Sequence, residues 1–113
     1  KKIILAGFSQ GGVIALQTGL RHGQRLGGIM ALSTYLALGE TLAKEGSEAN
    51  KDIPIFMAHG TRDAVIALAI AEKSHAALKA AGYKVQWQTY PMEHSVSAEE
   101  VGAIAKFLRD VLA

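Results

Sequence analysis

Ile3-Ile4-Leu5-Ala6-Gly7-Phe8-Ser9-Gln10-Gly11-Gly12 decides how this chain folds. Four consecutive apolar residues run into Gly7, and from Gly11 to about His22 the apolar residues Val13, Leu16 and Leu20 recur at helical spacing. The pattern predicts a strand from Ile3 to Ala6, a tight turn carrying Ser9, and a helix. A residue on so sharp a turn must accept strained backbone angles. Its neighbours two positions away, Gly7 and Gly11, are then expected to be small so that the strand end and helix start do not collide.

The same alternation continues along the chain. Leu26 to Leu32 is a second apolar strand, and Ser33 to Asp52 is a polar, small-residue excursion, weakly helical around Thr41 to Glu45. Pro54 opens a third strand through Ala58, at a position where its missing N–H is tolerated, and His59-Gly60-Thr61-Arg62-Asp63 turns the chain. Ala67 to Ala81 reads as a helix with Leu68, Ala71, His75 and Leu78 on one face and Gly82 as its C-terminal cap. Val85 to Tyr90 alternates apolar and polar residues as a strand solvated on one face does, and Pro91 ends it. Ser97 and Glu100 form a capping box ahead of a helix whose apolar stripe is Val101, Ile104, Ala105, Leu108, Val111 and Leu112. The order β-α-β-(excursion)-β-α-β-α predicts an α/β fold: a mostly parallel sheet of about four strands with flanking helices, in one domain spanning 1–113.

Composition narrows the function. The 113 residues are 50% hydrophobic, and twelve basic against ten acidic side chains give a formal charge of +2 with no basic stripe or acidic tail. Nucleic acid is therefore excluded as an expected partner. No apolar run approaches the roughly 20 residues needed to span a bilayer, and the apolar start is too short for a signal peptide. The absence of cysteine removes disulfides, thiolate nucleophiles and cysteine metal sites, and is compatible with a reducing, cytoplasmic setting. No two histidines stand three or four residues apart, so no metal is expected. Chemistry must come from serine, histidine and carboxylates.

Gly7-Phe8-Ser9-Gln10-Gly11 fits G-x-S-x-G between a strand and a helix, the context of a nucleophile elbow. The helix that follows aims its first N–H groups at a developing oxyanion, with the N–H of Gln10 the natural donor. An attacking hydroxyl needs a base, and the base needs a carboxylate to fix its tautomer. Asp63, after the third strand, and His94, after the fourth, supply them in the chain order of an α/β hydrolase. Taken singly, Asp63 reads equally as a solvated turn acid and His94 as a surface histidine. Together with Ser9 they read as a triad. His22, His59 and His75 read as structural or solvated, and Glu93 stands beside His94. Tyr35, Leu36 and Val65 follow strand ends and line either an acyl pocket, with Leu36 and Val65 as substrate-binding residues, or the core.

Gly7-Phe8-Ser9-Gln10-Gly11-Gly12, Leu32-Ser33-Thr34-Tyr35-Leu36, His59-Gly60-Thr61-Arg62-Asp63 and Tyr90-Pro91-Met92-Glu93-His94-Ser95 together resemble the phospholipase/carboxylesterase family, from Lys1 to the C-terminus. The resemblance implies hydrolysis of carboxyl esters or thioesters without a cofactor, with Ser9 as nucleophile, Asp63 as orienting acid and His94 as base. It implies that Ser33 to Asp52 overhangs the acyl site. Ala64-Val65-Ile66 departs from the family, which often has proline after the acid. Family members are also longer, with several strands and a His-Gly loop carrying a second oxyanion donor before the elbow. This chain therefore corresponds to the C-terminal part of the family's fold. Its elbow strand, central in the family, is then expected at an edge, covered by a homodimer contact or by the missing half at residues 3–6. The alternative reading is a catalytically silent fragment that associates through this edge.

Overall fold

The computed structural model describes residues 2–37 and 39–113. In chain order they form β1 (Ile4–Phe8), α1 (Gln10–Arg21), β2 (Gly28–Leu32), the short α2 (Leu42–Glu45), β3 (Pro54–Gly60), α3 (Leu68–Ala80), β4 (Lys84–Tyr90) and α4 (Ala98–Leu112). Single 3-10 turns at Gly39–Thr41 and Glu48–Asn50 flank α2. The strands make one sheet in the order β1-β2-β3-β4, and every neighbouring pair is parallel. This is the expected α/β architecture.

Alternate residues of the strands feed two cores. Ile29, Ala31, Ile55 and Met57 face Ala15, Leu16 and Leu20 of α1 and Leu78 of α3. Met30, Leu32, Phe56 and Ala58 face Phe107 and Val111 of α4. Helices α1 and α3 thus cover one face and α4 the other, and β2, buried along its whole length, must be apolar at every position. Trp87 of β4 is half-buried and stacks on His75, with ring centroids 4.9 Å apart. Burial, and then Lys79, lower the pKa of that imidazole.

Several local readings change. β1 and β3 each run two residues further than the apolar runs suggest, so Gly7, Phe8, His59 and Gly60 lie within strands. Ladder pairing carries them there: Phe8 pairs with Leu32, and His59 with Thr89. In α3 the buried positions are Ala71, Ser74 and Leu78, whereas Leu68 and His75 are half-buried. The Ser74 hydroxyl donates to the carbonyl of Ile70 (3.1 Å) and accepts the N–H of Leu36 (2.8 Å), which ties the excursion to the helix.

Helix α4 is rotated relative to the expected stripe. Its buried residues are Glu100, Phe107 and Val111, while Val101 and Leu112 are each 55% exposed. The large Phe107 ring packs on Phe56 at a centroid distance of 5.6 Å and sets the helix phase. The capping box is half-formed. Ser97 Oγ accepts the N–H of Glu100 (3.1 Å), but the Glu100 carboxylate oxygens are buried without a hydrogen-bond partner among the described residues.

The excursion holds an anchor that its polarity concealed. Asn50 is fully buried; its amide nitrogen donates to the carbonyls of Gly19 (3.1 Å), His22 (3.0 Å) and Gln24 (2.9 Å), and its oxygen accepts the N–H of Leu26 (2.7 Å). One side chain thereby satisfies the carbonyls at the end of α1 and the entry to β2.

Among the described residues no helix is long and apolar enough to cross a membrane.

Candidate active site

Parallel strands deliver their carboxyl ends to one rim of the sheet, and the loops there bring distant residues together. Ser9 follows β1, Asp63 follows β3 and His94 follows β4.

Ser9 has φ 57° and ψ −119°, outside the ordinary range for an L-residue. The strain is held from both sides: its N–H donates to the carbonyl of Leu32 (2.8 Å), and its carbonyl accepts from Thr34 Oγ1 (2.6 Å). A Cβ on Gly7 would lie 2.1 Å from the carbonyl oxygen of Gly11, so the elbow closes only with glycine there. At Gly11 a Cβ would meet nothing within 4 Å, contrary to the expected crowding. The crowded glycine of the first helical turn is Gly12, where a Cβ would lie 2.6 Å from Thr34 Cγ2. Helix α1 begins at Gln10; the N–H groups of Gly12 and Val13 donate to the Ser9 carbonyl (3.0 and 3.3 Å), and those of Gln10 and Gly11, ahead of them, precede the first intrahelical bonds at the rim beside Ser9.

The His94 loop lies on the end of β3. Thr61 N–H donates to the carbonyl of Tyr90 (2.8 Å), Arg62 N–H to that of Met92 (3.0 Å), and Arg62 Nη2 to that of Pro91 (2.7 Å). Gly60 permits this approach, since a Cβ there would stand 2.3 Å from the carbonyl oxygen of Met92.

Asp63, His94 and Ser9 form one chain of hydrogen bonds. His94 Nδ1 lies 2.7 Å from Asp63 Oδ2, and His94 Nε2 lies 2.9 Å from Ser9 Oγ. The other carboxylate oxygen, Oδ1, accepts the N–H groups of Val65 and Ile66, each at 2.8 Å. Burial pushes the Asp63 pKa up, but the Ile66 N–H, the His94 ring and the Val65 N–H outweigh it and leave the pKa lowered. An ionised Asp63 only accepts, so the proton sits on His94 Nδ1. Nε2 is then the acceptor for the Ser9 hydroxyl.

The remaining expected residues are placed as follows. Leu36 is half-buried and packs against the core cluster under α1 and α3. Val65 is 68% exposed, and its contribution to the rim is its main-chain N–H to Asp63. Two cavities, of about 540 and 210 Å³, are lined by neither of them, nor by Ser9, Asp63 or His94. Glu93 is exposed and forms no ion pair with His94 among the described residues. Also among the described residues, no cluster of three or more His, Cys, Asp or Glu could hold a metal ion.

Three contributors escaped the sequence reading. The Phe8 ring lies against the His94 imidazole with centroids 4.8 Å apart, Thr34 holds the elbow carbonyl, and His59, buried, reaches the same loop as Asp63. Only the last left a trace in the sequence: His59 stands four residues before the acid, at the end of an apolar strand.

Comparison with known proteins agrees with the geometry. The sequence profile described as phospholipase/carboxylesterase matches residues 1–112. Acyl-protein thioesterase 1 of Gibberella zeae is 41% identical over 99% of this chain and 49% of its own length. Its namesake in Neurospora crassa is 44% identical over 98% of the chain and 46% of its own. Among solved structures, Arabidopsis thaliana SOBER1 superposes with a TM-score of 0.92 at 29% identity, covering 97% of this chain and 53% of that one. Zea mays acyl-protein thioesterase 2 gives 0.84 at 27% identity, over 99% and 57%. The chain spans about half the length of the curated relatives it matches. With four ordered motifs, one α/β sheet and a family profile matched from end to end, the chain belongs to the phospholipase/carboxylesterase family.

Proposed function

We propose that this chain carries the reacting groups of a serine hydrolase that cleaves carboxyl esters or thioesters through an acyl-enzyme on Ser9. The observation that carries the reading is the unbroken contact from Asp63 Oδ2 to His94 Nδ1 (2.7 Å) and from His94 Nε2 to Ser9 Oγ (2.9 Å). Ser9 Oγ attacks the acyl carbon as His94 Nε2 takes its proton, and Asp63 stabilises the imidazolium that results. The tetrahedral oxyanion is received by the N–H of Gln10 at the start of α1. Collapse of that intermediate expels the alcohol or thiol, which takes the proton from His94. Water, deprotonated by the same nitrogen, then attacks the acyl carbon; the bond to Ser9 Oγ breaks, Oγ takes the proton back from His94, and the acid is released. The names of the relatives, acyl-protein thioesterases, support thioesters as substrates, and the phospholipase/carboxylesterase description of the matching profile supports oxygen esters. Leu36 and Val65 are proposed to border the acyl chain, since both belong to segments that leave the catalytic rim.

Hydrolysis of a short-chain nitrophenyl ester tests this reading. Ser9→Ala and His94→Ala are each expected to reduce turnover by at least ~10³-fold, because members of a triad act as a unit. Turnover that survives both substitutions excludes the proposed roles.

A second reading concerns the open edge. Among the described residues β1 pairs only with β2, and Phe8 and Ile14 beside it are 41% and 58% exposed. We propose that a further strand covers this edge; for the chain taken alone, that strand comes from a second copy pairing along residues 3–6.

A further inference from the structure

We infer that His59 is a positioning residue for the catalytic acid, an inference that rests on the hydrolase reading above. Its imidazole is buried at the end of β3, and its Nε2 lies 2.8 Å from the carbonyl oxygen of Ile66. A carbonyl can only accept, so this contact fixes the proton on Nε2. The same nitrogen stands 3.4 Å from Asp63 Oδ2, the oxygen that holds His94.

Two bonds thus work in opposite directions on one short loop. Ile66 donates its N–H to Asp63 Oδ1 (2.8 Å), and its carbonyl accepts from His59 Nε2 (2.8 Å). The 63–66 loop is therefore clamped to the strand it leaves, and the carboxylate can turn only by breaking that clamp. The Asp63 side chain is fully buried, so no water replaces a lost contact cheaply. This loop lacks the stiffness that proline would provide, since Ala64-Val65-Ile66 contains none. A hydrogen bond from the strand supplies restraint in its place. His59 touches neither Ser9 nor His94 among the described contacts, so its effect on the reaction passes through Asp63.

The test reads the His94–Asp63 contact directly. In the wild-type chain, the His94 Nδ1–H proton is expected as a downfield, exchange-protected NMR resonance. In His59→Leu that resonance should disappear while the amide spectrum elsewhere is kept, and fluorophosphonate labelling should slow by roughly 10- to 100-fold, the order expected when reacting groups are slightly displaced. A resonance and a labelling rate both equal to wild type overturn the inference. If His59→Leu does not fold, His59→Gln and His59→Asn decide. The Gln amide reaches about as far as imidazole Nε2 and should keep both readouts, whereas the shorter Asn should lose them. Equal behaviour of the two overturns the inference. The hydrolase reading fails separately, if the wild-type chain is not labelled or if Ser9→Ala labels equally; the resonance comparison still decides the role of His59.

Discussion

At Ser9 the chain accepts a backbone that most residues avoid, with φ 57°, and two hydrogen bonds, one given to Leu32 at the end of β2 and one received from Thr34, hold it there. The positive φ costs an L-residue of the order of 1–2 kcal/mol, a cost that glycine escapes. Ser9→Ala keeps the cost and Ser9→Gly removes it. Urea unfolding should therefore find Ser9→Gly more stable than Ser9→Ala by about 1 kcal/mol. Equal stabilities, or the reverse order, would mean that the elbow is not strained. Asp63 matters at the same scale. Its pKa is lowered on folding, so its stabilising contribution is present above the unfolded-state value of about 4 and is lost as the pH falls through the lower, folded-state value. Acid thus weakens the fold at the carboxylate that holds His94.

Among the elements, α4 shows where apolar spacing is a sufficient guide and where it is not. The helix and its N-terminal Ser97 are legible, because capping and periodicity are local. Its phase is not, because Phe107 finds Phe56 across the sheet and turns Val101 and Leu112 outward. The same rotation buries Glu100 with both carboxylate oxygens lacking a hydrogen-bond partner among the described residues. Burial raises the Glu100 pKa, against a smaller opposing effect from the Ser97 backbone. Raised on folding, this group contributes stability that is present below the unfolded-state value of about 4.3 and is lost as the pH rises through the folded-state value. Glu100→Gln should abolish that loss, so the variant unfolds at higher urea than the wild type above this window and matches it more closely below. A wild-type advantage at neutral pH would contradict the burial of an unpaired charge. β3 and the Asn50 anchor carry the same lesson. The reach of β3 to Gly60 depends on its pairing with β4, and the role of Asn50 depends on carbonyls some 26 to 31 residues away. The candidate site was more legible than the packing: Ser9, Asp63 and His94 each follow a strand with a recognisable pattern, and parallel topology brings such positions to one rim. His59 was less so, because whether an imidazole at a strand end is buried is decided by the neighbouring loops.

For the whole molecule, the sheet is the organising device. Its order β1-β2-β3-β4 brings Ser9, Asp63 and His94 together at one end and, among the described residues, leaves β1 open along one side, where Leu5, Ala6, Ile14 and Ala15 border an apolar groove. If a second copy covers that edge, sedimentation should show a dimer whose population rises with concentration, and a charged substitution at Ile14 should shift it to monomer. A monomer at all concentrations would remove the pairing without touching the triad. The triad itself is tested most directly by treating the folded chain with a fluorophosphonate probe and mapping the modified residue by mass spectrometry. The account predicts a single adduct on Ser9 that is absent in Ser9→Ala and strongly reduced in His94→Ala; no adduct, or one of equal yield in all three proteins, would contradict it.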